Sequence, residues 1–254
     1  VLGVIVMMMV GLDSKVVAGE RLRVAAASSL AGPLKELNVD FEKRTGTAVQ
    51  LTLGSSHLLA RQIVAGASVD VFVSADAAAM DQVSAAGMIE EGTRENQFSN
   101  TLVVVVPTDG GRTLVSLRDL GGPGIRRIAT GNPRTVPVGV YARQYLEKLG
   151  LWEVVAPKII AAETARAALA AVESGNAEVG VVYRTDALLS KKVRVVFEVA
   201  AGEGPPIVYP MAAVKGEGDR LRVRQYLEFL DTEAARKVFE RFGFIVLPET
   251  DGNR

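Results

Sequence analysis

Short β-branched runs alternate with helix-period stripes along almost the whole chain, and this alternation narrows the fold more than any other feature. Leu22 to Ala26 reads as a strand, after which Leu30, Leu34, Leu37 and Phe41 recur at spacings of four, three and four. That is one buried helical stripe, and Gly46 closes it. A second strand, Val49 to Leu53, runs into Gly54-Ser55-Ser56; the next helix packs with Leu59 and Ile63 and stops before Gly66, and Val71 to Val73 makes a third strand. Thr101 to Val106, closed by Pro107, is almost wholly apolar and β-branched, which predicts a strand buried on both faces and a passage between lobes. The alternation continues with Ile128-Ala129 and a helix after Pro137, Ile159-Ile160 and a helix from Thr164, and Val179 to Val182 ending at Tyr183. Ile207 to Val214 is a second candidate crossing, followed by helices around Tyr226 to Leu230 and Ala234 to Phe242. The expected architecture is α/β with two lobes, each a mostly parallel sheet flanked by helices, and a ligand cleft between them. Residues 19–100 form the first part of lobe 1, 101–208 form lobe 2, and 209–254 return to lobe 1. No repeat of solenoid period is present.

Composition then removes whole classes of function. The 254 residues are 48% apolar, enough for a real core. The 29 basic and 29 acidic residues cancel and neither sign forms a long run, so a nucleic-acid footprint is missing. With no cysteine there is no disulfide framework, zinc knuckle, thiol nucleophile or lipid anchor on an N-terminal cysteine, and His57 is the only histidine. Val1 to Val10 is apolar and Val16-Val17-Ala18 supplies small residues before Gly19, so residues 1–18 read as a secretory signal peptide, short of the ~20 apolar residues a spanning helix needs.

Chemistry concentrates at two turns. Ala26-Ala27-Ser28-Ser29-Leu30 lies where the first strand ends and its helix begins, and Gly54-Ser55-Ser56 repeats the arrangement at the second. Ligands of open α/β sheets bind outside the carboxyl ends of strands, and a helix start offers unpaired N–H groups and a partial positive charge. A serine hydroxyl adds a donor. Taken singly, each turn is explained by ordinary helix capping; two in successive βα units weaken that explanation without removing it. Val136-Pro137-Val138-Gly139 and Thr164-Ala165 open helices in the second half, and Tyr183 ends a strand from which its phenol could reach the cleft as a donor, though on spacing alone a half-buried aromatic whose OH touches solvent is the better reading.

These motifs, in this order, resemble the periplasmic molybdate-binding proteins of ABC transporters, which have a type II periplasmic-binding fold. The residues carrying the resemblance are Ala26 to Leu30, Gly54 to Ser56 with Leu59 to Ala67, Asp70 to Asp76, Gly131-Asn132-Pro133 with Val136 to Ala142, and Gly180 to Tyr183 with Thr185 to Ala187. The resemblance implies that Ser29 and Ser56 give hydroxyl and N–H bonds to the anion, Val138 and Ala165 give backbone N–H groups, and Tyr183 gives its phenol. It implies a periplasmic monomer that carries molybdate or tungstate to a membrane permease, with no cofactor, no metal-cation ligands, no catalytic residues and no nucleic-acid partner. Ser28 stands where alanine is common, Asn132 replaces a frequent aspartate, and His57 follows the second serine.

An all-donor site suits a fully ionised oxyanion, which offers only acceptors, whereas phosphate near neutral pH keeps a proton that wants one. Sulfate or another small oxyanion satisfies the same logic. A regulator's effector module would bring a helix-turn-helix segment, which is missing. A serine hydrolase on Ser28 or Ser29 would need a base, and neither a second histidine nor a Gly-x-Ser-x-Gly elbow is present. The remaining polar residues read as solvated: Asp70, Asp76 and Glu163 as loop carboxylates, His57 as a surface residue, Arg61 and Arg166 as helix-surface ion-pair partners. Trp152, taken to end an apolar helix, reads as core packing.

Overall fold

A computed structural model describes residues 21–110, 113–200 and 202–248. The signal-peptide reading of residues 1–18 and the last six residues of the return segment lie outside these. The chain runs β1 (Leu22–Ala27), a 3-10 turn (Ser28–Leu30), α1 (Ala31–Thr45), β2 (Val49–Gly54), α2 (Ser56–Val64), β3 (Val71–Val73), α3 (Ala77–Ala85), β4 (Glu95–Ser99) and β5 (Leu102–Pro107). It continues with β6 (Ile128–Gly131), α4 (Pro137–Lys148), α5 (Trp152–Val155), β7 (Ile159–Ala162), α6 (Ala165–Glu173), β8 (Val179–Tyr183), α7 (Arg184–Leu188) and β9 (Val193–Glu198). It closes with β10 (Tyr209–Ala213), α8 (Arg220–Asp231), α9 (Glu233–Arg241) and β11 (Ile245–Val246).

Two mixed sheets result among the described residues: β11-β4-β10-β3-β1-β2 and β7-β6-β8-β5-β9. Each has a parallel part, β2, β1 and β3 in one and β7, β6 and β8 in the other, extended by antiparallel strands. Four of the antiparallel strands flank the crossings: β4 gives way to β5 at Asn100 and Thr101, and β9 is followed by β10 in the other sheet, while β11 pairs with β4 at the sheet edge. The two-lobed α/β architecture expected from the alternation is present.

Period-two patterning sets which face each strand side chain meets. Leu102, Val104 and Val106 of β5 join the large core with Val181, Tyr183 and Val138, while Val103 and Val105 point to the opposite layer with Ala168, Leu169 and Val172. β5 is thus buried on both faces, between β8 and β9. In the first sheet Val71 and Val73 face the large core and Phe72 faces α2 and α3 through Leu59, Ile63 and Met80. The stripe read in α1 is buried at Leu34, Leu37 and Phe41, and the helix ends at Gly46, whose φ of 71° is left-handed backbone that glycine adopts without a Cβ penalty. The C-terminal helices pack on this sheet: Phe41 meets Tyr226 edge-on at 5.0 Å and Phe98 stacks on Phe239 at 3.9 Å. Trp152 begins the short α5 rather than ending a helix, and Arg143 lies 5.5 Å above its half-buried ring.

Candidate functional site

The carboxyl ends of the parallel strands from the two sheets meet at one cleft holding about 200 Å³ of empty space, partly open to solvent. The first sheet contributes Ser28 and Ser29, the Gly54-Ser55-Ser56 turn and Ala75. The second contributes Val136, Pro137 and Val138, with Ala165 and Tyr183. All five residues singled out from sequence, Ser29, Ser56, Val138, Ala165 and Tyr183, line this space and are buried. Among the described residues no charged side chain lines it.

The serines do not cap their helices. Ser55 occupies the N-cap position of α2, yet its hydroxyl donates to Thr135 O at 2.8 Å, on the opposite wall. Ser56 Oγ accepts from Ala75 N–H at 2.9 Å, which leaves its own proton to point elsewhere. Ser29 Oγ lies 3.3 Å from the phenol of Tyr209. The starts of α2 and α4 accordingly have no side-chain cap, unlike α3 and α8, where Asp76 and Asp219 accept from first-turn N–H groups. Helix starts supply no internal acceptor for their first N–H groups. Val138 stands at the second position of α4 behind Pro137, and Ala165 at the first position of α6, whose cap Thr164 accepts from Ala167 N–H at 3.1 Å. Both N–H groups are thereby left for a ligand.

Tyr183 completes the set. Its phenol is fully buried, borders the cleft and has no hydrogen-bond partner among the described residues. Burial, and then the neighbouring Tyr209, hold its pKa well above that of an ordinary tyrosine, so the phenol keeps its proton and acts as a donor. A buried O–H without an acceptor costs about 1–3 kcal/mol, which an acceptor-rich ligand would recover.

Close backbone packing shapes the Val138 wall. An Asx turn, with Asn132 Oδ1 accepting from Arg134 N–H at 3.0 Å, folds the chain back from β6 into α4. Asparagine makes this bond with the same oxygen an aspartate would use. Gly139 then lies so close to the Gly131 carbonyl that a Cβ would sit 2.0 Å from that oxygen.

Several polar residues expected to be solvated are not. Asp76 is 4% exposed; one carboxylate oxygen caps α3 through Ala79 N–H, and the other meets His57 Nε2 at 2.8 Å. The acidic group beside the anion-type cleft is thus fully engaged, and His57 is a partner rather than a surface residue. Asp70, 3% exposed, takes a two-pronged bond from Arg23 at 2.9 and 2.6 Å and pins β3 to β1. Glu163 and Arg61 are exposed, as expected.

Arg166 reaches inward: its Nε lies 2.9 Å from Oδ1 of Asp186, which is 0% exposed, at an angle too skewed for a hydrogen bond. Sequence spacing gave no signal for this pair, since its members lie on different helices. Burial pushes the Asp186 carboxyl up from 3.8 to about 6, against the pull of Arg166. A raised folded-state pKa favours the native state where both states are protonated, and that favour is lost as pH rises through about 6; the full difference is about 3 kcal/mol. Asp186→Asn is expected to remove this component, so urea unfolding between about pH 4 and 7 should show a smaller fall in stability with pH than the wild type. Identical pH slopes would refute the assignment.

Comparison with known proteins was consistent with this geometry. Residues 22–245 match the family model described as bacterial extracellular solute-binding protein. The chain is 37% identical over 235 residues to the molybdate-binding protein ModA of Escherichia coli (strain K12), covering 89% of each chain. It is 33% identical over 248 residues to the molybdate-binding protein ModA of Haemophilus influenzae, covering 94% of this chain and 95% of that one. Among solved structures, the Azotobacter vinelandii periplasmic molybdate-binding protein superposes with a TM-score of 0.80 at 27% identity, over 90% of this chain and 100% of that one. The sulfate-binding protein SubI of Mycobacterium tuberculosis gives the same TM-score at 16% identity, over 89% of this chain and 87% of that one, which shows the fold alone.

Proposed function

The chain belongs to the bacterial extracellular solute-binding protein family, and on that premise we propose that it captures molybdate or tungstate in this cleft and delivers it, from the periplasm, to the permease of an ABC transporter. The observation that carries the reading is the donor-rich lining, in which the buried phenol of Tyr183 waits for an acceptor and none of the described lining residues is charged. Ser29 and Ser56 supply hydroxyl and backbone N–H donors, Val138 and Ala165 supply N–H groups, and Tyr183 supplies its O–H. Residues 19–100 with 209–254 act as one lobe and 101–208 as the other, and the anion joins them by taking donors from both. A dianion stripped of water needs such replacement for every lone pair it turns toward protein. Names of relatives from two organisms support molybdate.

Capture without chemistry is the reading for the serines too. A hydrolase would need a base at Ser28 or Ser29, and the bond of His57 Nε2 goes to Asp76. No helix among the described residues is long and apolar enough to cross a membrane. The protein acts as a monomer and needs neither cofactor nor nucleic acid.

Thermal unfolding in the presence of molybdate, tungstate, sulfate and phosphate tests the proposal. At a ligand concentration of about 100 Kd, binding to the folded state adds about 2.7 kcal/mol, or about 5–10 °C for a chain of this size. Molybdate and tungstate are expected to raise the melting temperature by that amount and phosphate to leave it unchanged. Stabilisation by sulfate alone would transfer the function to that anion, and no response to any of the four would end the oxyanion reading.

A further inference from the structure

We infer that Asn100 and Tyr209 are positioning residues that hold the Ser29 hydroxyl as a donor toward the cleft, and so set the site's preference for fully ionised oxyanions. The inference rests on the oxyanion-capture reading above. It comes from a buried chain of hydrogen bonds whose direction can be worked out donor by donor.

Asn100 is 6% exposed and lies between β4 and β5, where the chain first crosses between sheets. Its Oδ1 accepts from Thr101 N–H at 2.9 Å, which fixes which end of the amide is oxygen. Both hydrogens of Nδ2 are then committed, one to Thr185 Oγ1 at 2.9 Å and one to Tyr209 OH at 3.0 Å. Tyr209 is fully buried at the start of β10, the second crossing, and burial keeps its phenol protonated far above ordinary tyrosine. Because that oxygen already accepts from Asn100, its one proton goes to the other partner within reach, Ser29 Oγ at 3.3 Å. Ser29 therefore accepts from the protein side, and its own proton is left to point into the cleft it lines. Ser56 is set the same way by Ala75 N–H.

An unconstrained serine hydroxyl can turn a lone pair toward a ligand proton and so welcome a hydrogen-bearing anion. Here one lone pair is already taken by the Tyr209 proton at 0% exposure, so accepting from a ligand as well would leave the Ser29 proton with neither Tyr209 nor the ligand as its acceptor, a cost of the kind that makes buried polar groups selective. The relay also ties the hydroxyl to both chain crossings, so its direction is held by backbone and not by a surface loop.

A double-mutant cycle read by calorimetric titration with molybdate tests the inference. Tyr209→Phe removes the donor to Ser29 and is expected to weaken molybdate binding about tenfold in the Ser29 protein, and by less than about twofold in the Ser29→Ala protein. A purely structural role would cost the same in both backgrounds, and that equality would overturn the inference, as would undiminished binding by Tyr209→Phe. Should Tyr209→Phe not unfold cooperatively, Asn100→Asp is read through the same cycle. Its carboxylate would take the Tyr209 proton and reverse the chain, so the loss should again be about tenfold greater with Ser29 present, and equal losses would refute it. If the wild type binds neither molybdate nor tungstate, the capture reading fails instead, so the two failures are distinguishable.

Discussion

Gly139→Ala is expected to lower the melting temperature by about 10 °C and to abolish molybdate binding in the same protein. The new Cβ would lie 2.0 Å from the Gly131 carbonyl oxygen and 2.4 Å from its carbon, and both are backbone atoms that cannot rotate away. Gly131 is itself hemmed in by Val136 and Val138, so the start of α4 must shift as a body. Overpacking usually costs about 1–3 kcal/mol, and a clash with main chain belongs at or beyond the top of that range. A loss of about 3 kcal/mol corresponds to about 10 °C for a chain of this length. Binding goes with it because the displaced turn carries the Val138 N–H. Gly216→Ala is the control: nothing lies within 4 Å of where its Cβ would stand and its backbone is not left-handed, so its melting should stay within a degree or two of wild type. Coincident melting curves for Gly139→Ala and Gly216→Ala would show that the turn yields more easily than its packing implies.

The second large effect is expected from the serines, and the two should differ in kind. Each replacement by alanine removes a charge-assisted donor worth about 1.5–3 kcal/mol, weakening molybdate binding by one to two decades in a calorimetric titration. Ser56→Ala also strips Ala75 N–H of its acceptor at a site with 0% exposure, which costs a further 1–3 kcal/mol or so of stability. Ser29→Ala strands the Tyr209 phenol proton instead, but that proton can turn about its C–O bond where a backbone N–H cannot, and the phenol still accepts from Asn100, so its stability should fall less. Unchanged affinity in both variants would remove these turns from the binding site.

What the sequence made readable was local. Leu30, Leu34, Leu37 and Phe41 announce a helix because 3.6-residue periodicity is written in neighbouring positions, and all four are buried. The serine turns stood out because strand, small residues and hydroxyl follow one another directly. Partnerships between distant residues left no such trace. His57 and Asp76 are joined by the placement of α2 beside α3, and Arg166 and Asp186 by the start of α6 lying against α7. Read singly, each is a polar residue in a loop or on a helix, for which solvation is the default. Asn100 and Tyr209 lie 109 positions apart and meet because the chain crosses twice between the sheets. The antiparallel half of each sheet was hidden for the same reason, since periodicity tells that a segment is a strand and not which neighbour it will choose.

The bond from Ser55 to Thr135 O spans the cleft without involving the anion. Protein alone therefore contributes to the joined state, by about 1 kcal/mol for a neutral pair. Ligand affinity observed from outside is the intrinsic affinity multiplied by the fraction of molecules already competent to hold it. A clasp of this size multiplies the ratio of joined to open molecules about fivefold and raises the competent fraction with it, so a residue that need not touch the cargo helps set how tightly it is kept and how readily it is surrendered.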